Sequence, residues 1–142
     1  MVAHMMQRRL ILAMAAAGAA LLAGCSRIKK KDQAARLKDT LTAYTGAIRW
    51  GHYETARAFA KPRDGAAVTL DPAALAGLKV TGYSVRINRV NEEGDEANVS
   101  LSFTYYQETR GTVRTAVQDA TWYYEEAGER WLLDGGLPDF QL

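Results

Sequence analysis

Apolar residues recur at steps of three and four in the stretch that begins near Asp32, and this period predicts an amphipathic helix of about four to five turns. The apolar stripe of the helix consists of Ala34, Leu37, Leu41, Tyr44 and Ile48. Two shorter helices follow in the pattern. One begins near Tyr53 and ends before Pro62; the other is marked by an N-cap at Asp71-Pro72 and a stop at Gly77.

The period changes to two after Lys79, which predicts β-strands with one apolar and one polar face. The apolar positions are Tyr83, Val85 and Ile87 in the first strand and Ala97, Val99, Leu101, Phe103 and Tyr105 in the second. Turn signals lie at residues 92–94, 110–111 and 127–128. The pattern therefore predicts a four-stranded antiparallel meander, and helices against one face of such a sheet make an α+β fold.

The turn between the second and third strands predicts their register, because a slip of one residue would move the apolar side chains into water. A two-residue turn at Arg110-Gly111 places Leu101 opposite Ala120 and Phe103 opposite Gln118. The other face of the sheet is then almost uniformly polar. It carries Ser100, Ser102, Thr104, Thr115, Asp119 and Thr121.

The first and last hairpins are constrained to different degrees. A three-residue loop at 92–94, which ends in a left-handed glycine, brings Val85 to the same face as Leu101. The last hairpin has two interpretations. A two-residue turn pairs Trp131 with Tyr124, whereas a three-residue turn directs the next leucine inward, and the sequence leaves both open.

The beginning of the chain has the layout of a secretory signal. Met1–Arg9 carries two arginines and no acid, Leu10–Leu22 contains no polar side chain, and small residues close the segment. A spanning helix needs about 20 apolar residues, so we expect a cleaved signal rather than a permanent anchor. The length of the chain suits one domain. The predicted organisation is a signal peptide at 1–24, a basic tether at 25–31 and a single domain at 32–142.

Charge does not point to a nucleic-acid partner once this signal is removed. The full chain has 18 basic and 16 acidic residues, and two arginines leave with the signal, so the mature chain is formally neutral. The basic residues that remain concentrated are Arg27, Lys29, Lys30 and Lys31. They either rest against anionic lipid headgroups or form an ordinary solvated tether, and the sequence favours neither.

Residues 22–25, LAGC, resemble the bacterial lipobox, and they stand at the end of the apolar run. The resemblance implies cleavage before Cys25, a thioether from Cys25 to diacylglycerol, and acylation of the new amino terminus with a fatty acid such as palmitate. Each buried methylene contributes about 0.8 kcal/mol, so two or three acyl chains hold a protein on a bilayer. Ser26 replaces the aspartate that retains such proteins at the inner membrane, which implies the outer membrane, facing the periplasm.

Two other roles for Cys25 have less support in the sequence. A catalytic thiol requires an electropositive pocket and a base, and the only histidine of the mature chain, His52, lies far along the sequence. A disulfide requires a second cysteine, which only another chain could supply. We therefore expect Cys25 to be the lipid attachment site.

The order of a long helix, short helices and a meander that ends in a W-x-L strand resembles the nuclear transport factor 2-like superfamily, which includes SnoaL-like and ketosteroid-isomerase-like proteins. The segment AIRWGHYETARAF is similar to the helix pair of that superfamily, and the resemblance spans about residues 32–136. It implies a cystatin-like cone, with a pocket between the first helix and the concave face of a curved sheet. The alternative is a small helix-plus-sheet lipoprotein domain with different connectivity.

Seven residues on the predicted inward faces of the helix and the sheet are expected to line such a pocket. They are Tyr44, Tyr83, Phe103, Tyr105, Gln118, Trp122 and Tyr124. Enzymes of this superfamily use an Asp or His base in the pocket, with Tyr or acid donors, and a base of that kind needs burial and neighbours that tune its pKa. No carboxylate points inward in our register, since Asp119 lies on the polar face. The side-chain amide of Gln118 is expected to form a hydrogen bond with Tyr44 or Tyr83.

The sequence predicts no catalytic residue, metal site or cofactor. The acids of the first hairpin, Glu92, Glu93, Asp95 and Glu96, lack the fixed spacing of a cation site. The first hypothesis for function is a non-catalytic lipoprotein that binds a small apolar ligand or another envelope protein. The second is a small enzyme of the isomerase or dehydratase type, and the third is a structural envelope component without a ligand.

Overall fold

The computed structural model describes the backbone of residues 2–142 and the side chains of residues 24–142. The elements are α1 (Val2–Arg49), α2 (Tyr53–Arg57), α3 (Pro72–Leu75), β1 (Leu78–Val90), β2 (Glu96–Gln107), β3 (Arg114–Glu125) and β4 (Arg130–Asp134). The chain forms two compact units, Met1–Asp32 and Gln33–Leu142. All but the last residue of the predicted signal peptide lies outside the described side chains. Within the part that the structure describes, no helix is both long and apolar enough to cross a bilayer.

The four strands form one antiparallel sheet in the order β1-β2-β3-β4, which confirms the predicted meander. The second half of α1 packs on this sheet through its apolar stripe, because Leu37, Leu41, Tyr44 and Ile48 are all buried. The molecule therefore has the predicted α+β architecture. Ala34 is exposed, so the stripe begins one turn later than expected. At that end of the contact, the Trp131 indole N–H donates to the backbone oxygen of Gln33 over 2.8 Å.

The predicted start and stop of the third helix are confirmed. The Asp71 carboxylate accepts hydrogen bonds from the backbone N–H groups of Ala73 and Ala74, at 3.1 and 3.2 Å. These bonds satisfy donors that a helix N-terminus otherwise leaves without partners. Gly77 ends the segment with a φ of 77°, a conformation that side chains disfavour. The backbone then enters β1 directly at Leu78.

The register predicted between the second and third strands is wrong by two residues. Leu101 lies opposite Gln118, and Phe103 lies opposite Ala116. The connection occupies residues 108–113 rather than a two-residue turn, and it is anchored where the Glu108 N–H donates to the backbone oxygen of Gly77. A shift of two residues leaves each side chain on its predicted face, so the apolar face remains intact.

The face predicted for Val85 is confirmed, because Val85 lies opposite Leu101, although the loop of the first hairpin occupies residues 91–95 rather than 92–94. The left-handed glycine expected in its loop is Gly94, whose φ is 75°. The last hairpin pairs Trp131 with Tyr124, as the two-residue interpretation requires, although its loop occupies residues 126–129. Leu132 is nevertheless also buried.

The C-terminal segment, residues 135–142, lies on the helix-facing side of the sheet. The Phe140 ring is almost fully buried and packs edge-on against Phe103 and Tyr105, with centroid separations of 6.1 and 5.0 Å. The Tyr105 hydroxyl donates to the backbone oxygen of Gln141 over 3.2 Å. The segment has no regular secondary structure, and side chains of β2 and β3 bind its backbone.

Candidate functional site

The space between α1 and the sheet is occupied by side chains. Trp122 and Phe103 are completely buried, and Leu37 of α1 is 1% exposed. The Tyr44 ring stands edge-on to Trp122, with centroids 5.1 Å apart, a favourable arrangement for two aromatic rings. Four of the residues that the sequence predicted to line a pocket, Tyr44, Phe103, Tyr105 and Trp122, therefore form packed interior instead of the wall of an open cavity.

The seven predicted lining residues fall into three groups. Tyr44, Phe103, Tyr105 and Trp122 are buried in the core. Gln118 and Tyr124 are half-buried, and Tyr124 packs against Trp131 with centroids 5.7 Å apart. Tyr83 is on the predicted face of the sheet but is 44% exposed, so the prediction that it is enclosed is wrong. It does lie opposite Phe103, but β1 is an edge strand, and Tyr83 is not among the side chains that pack against the core.

Tyr44, which is buried, and Gln118, which is half-buried, form a polar contact between α1 and β3. The Tyr44 hydroxyl donates to Gln118 Oε1 over 3.0 Å, and Gln118 Nε2 donates to the backbone oxygen of Gly136 over 2.8 Å. Burial raises the pKa of Tyr44 far above its ordinary value, and the bond to Gln118 offsets part of that shift. The hydroxyl therefore stays protonated at any physiological pH, and it connects α1 through β3 to the C-terminal segment.

The variant Tyr44→Phe is expected to lose about 1 kcal/mol of unfolding free energy, because the Gln118 carbonyl then lacks its buried donor while the ring packing is kept. Urea unfolding followed by tryptophan fluorescence measures this loss. Tyr83→Phe is the matched control, since the exposed Tyr83 hydroxyl makes no hydrogen bond in the described structure. Equal midpoints for the two variants would contradict a structural role for the Tyr44–Gln118 bond.

An open cleft of about 420 Å³ lies between α2 and α3. Its lining is mainly apolar with a polar rim, and comprises Gly51, His52, Tyr53, Glu54, Thr55, Leu70, Pro72, Leu75 and Ala76. The volume is within the range of small-molecule sites. Among the described residues, Tyr53 is one of two whose buried polar atom has no hydrogen-bond partner, and burial raises the pKa of its hydroxyl. The sequence placed Tyr53 on a helix, but no local pattern indicates which helices enclose a cleft.

A second cleft, of about 500 Å³, is lined by polar residues around the end of β4. Here the Asn88 amide donates to Ser100 Oγ over 2.7 Å, and the Ser100 hydroxyl donates to the Asp119 carboxylate. Asp119 is exposed on the polar face, as the alternation predicts. The three side chains are hydrogen-bonded to one another across β1, β2 and β3. They therefore act as cross-strand pairs that stabilise the solvent-exposed face of the sheet.

Three acidic residues near the last hairpin, Glu96, Glu125 and Asp134, are held in ion pairs. Arg63 binds Asp134 at 2.7 Å and Glu96 at 2.9 Å, and Lys61 binds Glu125 at 2.6 Å. The Arg63 backbone N–H and guanidinium hold the pKa of Asp134 below its usual range. In the part of the chain with described side chains, no group of three His, Cys, Asp or Glu residues is placed to hold a metal ion. These charged groups are therefore structural pairs at the surface.

Two sequence candidates lie at the surface. His52 is exposed before α2, and its side chain makes no capping hydrogen bond. Cys25 is exposed and forms no disulfide within the part of the chain that the structure describes. Comparison with protein-family models, with curated proteins and with solved structures finds no match to this chain.

Proposed function

We propose that this chain is a bacterial lipoprotein, anchored to a membrane of the cell envelope through Cys25, whose domain binds a partner or ligand without catalysis. The observation that carries the proposal is the LAGC motif, which closes an apolar run after a basic N-terminus. Diacylglycerol on Cys25 and an acyl chain on the new amino terminus give the two lipid signals that stable anchoring needs. Ser26 favours the outer membrane, facing the periplasm.

The tether provides a second attraction to the same surface. It carries Arg27, Lys29, Lys30 and Lys31, all exposed, and it contains none of the 16 acidic residues. The remaining domain is therefore net negative. Near anionic headgroups each basic residue contributes about 1 kcal/mol of attraction, while the acidic domain is repelled. We propose that the basic side chains of the tether contact the lipid surface.

The filled interior supports a binding role over an enzymatic one. A general base must lie within hydrogen-bond reach of its substrate and have neighbours that tune it. Trp122, Phe103 and Leu37 occupy the place where the isomerase-like cone would hold that base. We propose that the domain is a cone of the nuclear transport factor 2-like type, supported by its element order, and that the C-terminal segment helps to fill it. Binding is then a property of the outer surface and the α2–α3 cleft.

The alternative function, a small isomerase or dehydratase, rests on one observation: His52, Tyr53 and Glu54 line the α2–α3 cleft. In that mechanism His52 would act as the base and Tyr53 as the donor. A substrate whose turnover is lost in both His52→Ala and Tyr53→Phe, with folding unchanged, would support the enzyme. The binding module is instead supported if crosslinking in intact cells recovers the same envelope partner with wild-type chain and both variants.

The variant Cys25→Ala is expected to leave the membrane fraction and to lose incorporation of a labelled palmitate analogue, because the thioether cannot form. Fractionation of cells and gel detection of the label measure the two effects. The control is Ser26→Ala, which keeps the motif and should remain labelled and in the membrane. Persistence of Cys25→Ala in the membrane fraction, or an unlabelled parent chain, would refute the lipid anchor.

A further inference from the structure

The outer edge of β1 is long, and no strand of the part of the chain that the structure describes lies beside it. β1 contains 13 residues and is the first strand of the sheet, so its outer row of backbone groups lacks strand partners. On the helix-facing side, Tyr83 and Val85 are 44% and 41% exposed, whereas the residues opposite them on β2, Phe103 and Leu101, are fully buried. The apolar face of the sheet therefore continues, uncovered, to this edge.

The exposed part of the edge is also regular. The pairing of β1 with β2 is broken by irregularities between Val80 and Gly82 and between Ile87 and Arg89, and the six residues between them pair without interruption. Natural edge strands are usually blocked by charges on the inward side, by proline or by being short. The segment from Gly82 to Ile87 contains no proline, and its helix-facing side chains are Tyr83, Val85 and Ile87.

We propose that β1 pairs antiparallel with β1 of a second copy of this chain, centred on Val85, so that the two sheets become one across a two-fold axis. The axis is perpendicular to the sheet, so facing residues must belong to the same side of the strand. When the axis passes through Val85, the Val85 side chains of the two copies face each other. On each side of the axis, Tyr83 of one copy faces Ile87 of the other. All three apolar residues then face apolar partners, the kind of cross-strand pair that stabilises a sheet.

Charge favours the same register. On the polar side, Arg86 faces Ser84 when the axis passes through Val85, whereas an axis through Arg86 would set two guanidinium groups opposite each other. Like charges directly opposite one another destabilise a strand pair. Farther out, antiparallel pairing brings the acidic hairpin tip, with Glu92 and Glu93, beside the start of the partner strand at Lys79. The interface is therefore self-complementary in charge as well as in apolar surface.

This association goes beyond the proposed function, because it depends on the folded sheet and not on acylation. Anchoring would strengthen it, since two chains confined to one membrane meet at a higher effective concentration than in solution. The association is also compatible with binding of another partner, because the α2–α3 cleft is lined by none of the residues from Gly82 to Ile87.

The test is cysteine crosslinking of the full chain in isolated membranes. Facing residues of an antiparallel pair have Cα atoms about 4.5–5.5 Å apart, which is within the range of a disulfide. Val85→Cys is expected to form a disulfide-linked dimer of twice the monomer mass after mild oxidation, and the dimer should disappear on reduction. The matched control is Val117→Cys on β3, which is more exposed, at 63%, and should remain monomeric.

Two further variants test the register and the interface. The double variant Tyr83→Cys with Ile87→Cys should crosslink, whereas Tyr83→Cys alone should crosslink much less, because its partner position is Ile87. In detergent, Val85→Lys should convert the parent's dimeric mass, measured by light scattering, to that of a monomer, and Val117→Lys should leave it unchanged. A monomeric parent, or equal crosslinking at Val85 and Val117, would overturn the proposal. A crosslinked parent chain would instead report a free Cys25 and count only against the lipid anchor.

Discussion

A lysine at Leu101 is expected to unfold the domain, whereas a lysine one residue later, at Ser102, is expected to leave it folded. Leu101 is fully buried at the centre of β2, opposite Val85 and Gln118. Ser102 points to the other face, opposite Ser84 and the exposed Val117. The two positions are adjacent in one strand and point to opposite faces. Any difference between the two variants therefore reports the face of the sheet and not the position along the strand.

The size of the effect follows from burial of a charge. No acidic side chain lies opposite Leu101, so the ammonium would be buried without a partner, and we expect a loss of roughly 5 kcal/mol. This is comparable to the whole stability of a small domain, which is about 5–15 kcal/mol. Circular dichroism and urea unfolding should show Leu101→Lys unfolded or strongly destabilised, and Ser102→Lys within about 0.5 kcal/mol of the parent. Equal tolerance at the two positions would mean that the assigned faces are wrong.

The variant Phe140→Ala is expected to lose about 3 kcal/mol of unfolding free energy, a large effect for a residue near the end of the chain. The Phe140 ring is 8% exposed and covers Phe103 and Tyr105. Its removal therefore leaves a void and exposes these two core rings to solvent. The bond from the Tyr105 hydroxyl to the Gln141 backbone also loses its support. Thermal and urea unfolding measure the change.

Leu142→Ala provides the control for Phe140→Ala. Leu142 belongs to the same segment but is 39% exposed, and its truncation should alter stability by less than about 1 kcal/mol. Equal effects of the two truncations, or no effect of Phe140→Ala, would show that the segment does not stabilise the sheet in solution. A stable Phe140→Ala variant that gains affinity for an apolar dye would indicate instead that the segment closes a pocket.

The sequence alone determined the elements and the faces of this domain. A period of three to four residues specified the α1 stripe at Leu37, Leu41 and Tyr44, and a period of two assigned Val99 and Leu101 to the dry face, because these repeats follow from backbone geometry. Capping and turn chemistry is equally local, which is why the Asp71 cap and the left-handed Gly94 were predicted correctly. The resemblance of residues 22–25 to a lipobox also depends only on neighbouring residues, and the lipid on Cys25 stays a prediction.

The strand register, the exposure of individual side chains and the filling of the interior were decided only by the tertiary structure, because they depend on contacts between residues that are distant in sequence. Alternation fixes which face a side chain occupies but not which partner it meets, so the β2–β3 register moved by two residues when residues 108–113 formed a longer connection. The exposure of Tyr83 depends on what α1 and the C-terminal segment leave uncovered. Likewise, the interior is filled because Phe140 reaches Phe103 and Tyr105. No local sequence pattern predicts that contact, because Phe103 and Tyr105 lie side by side only in the folded sheet.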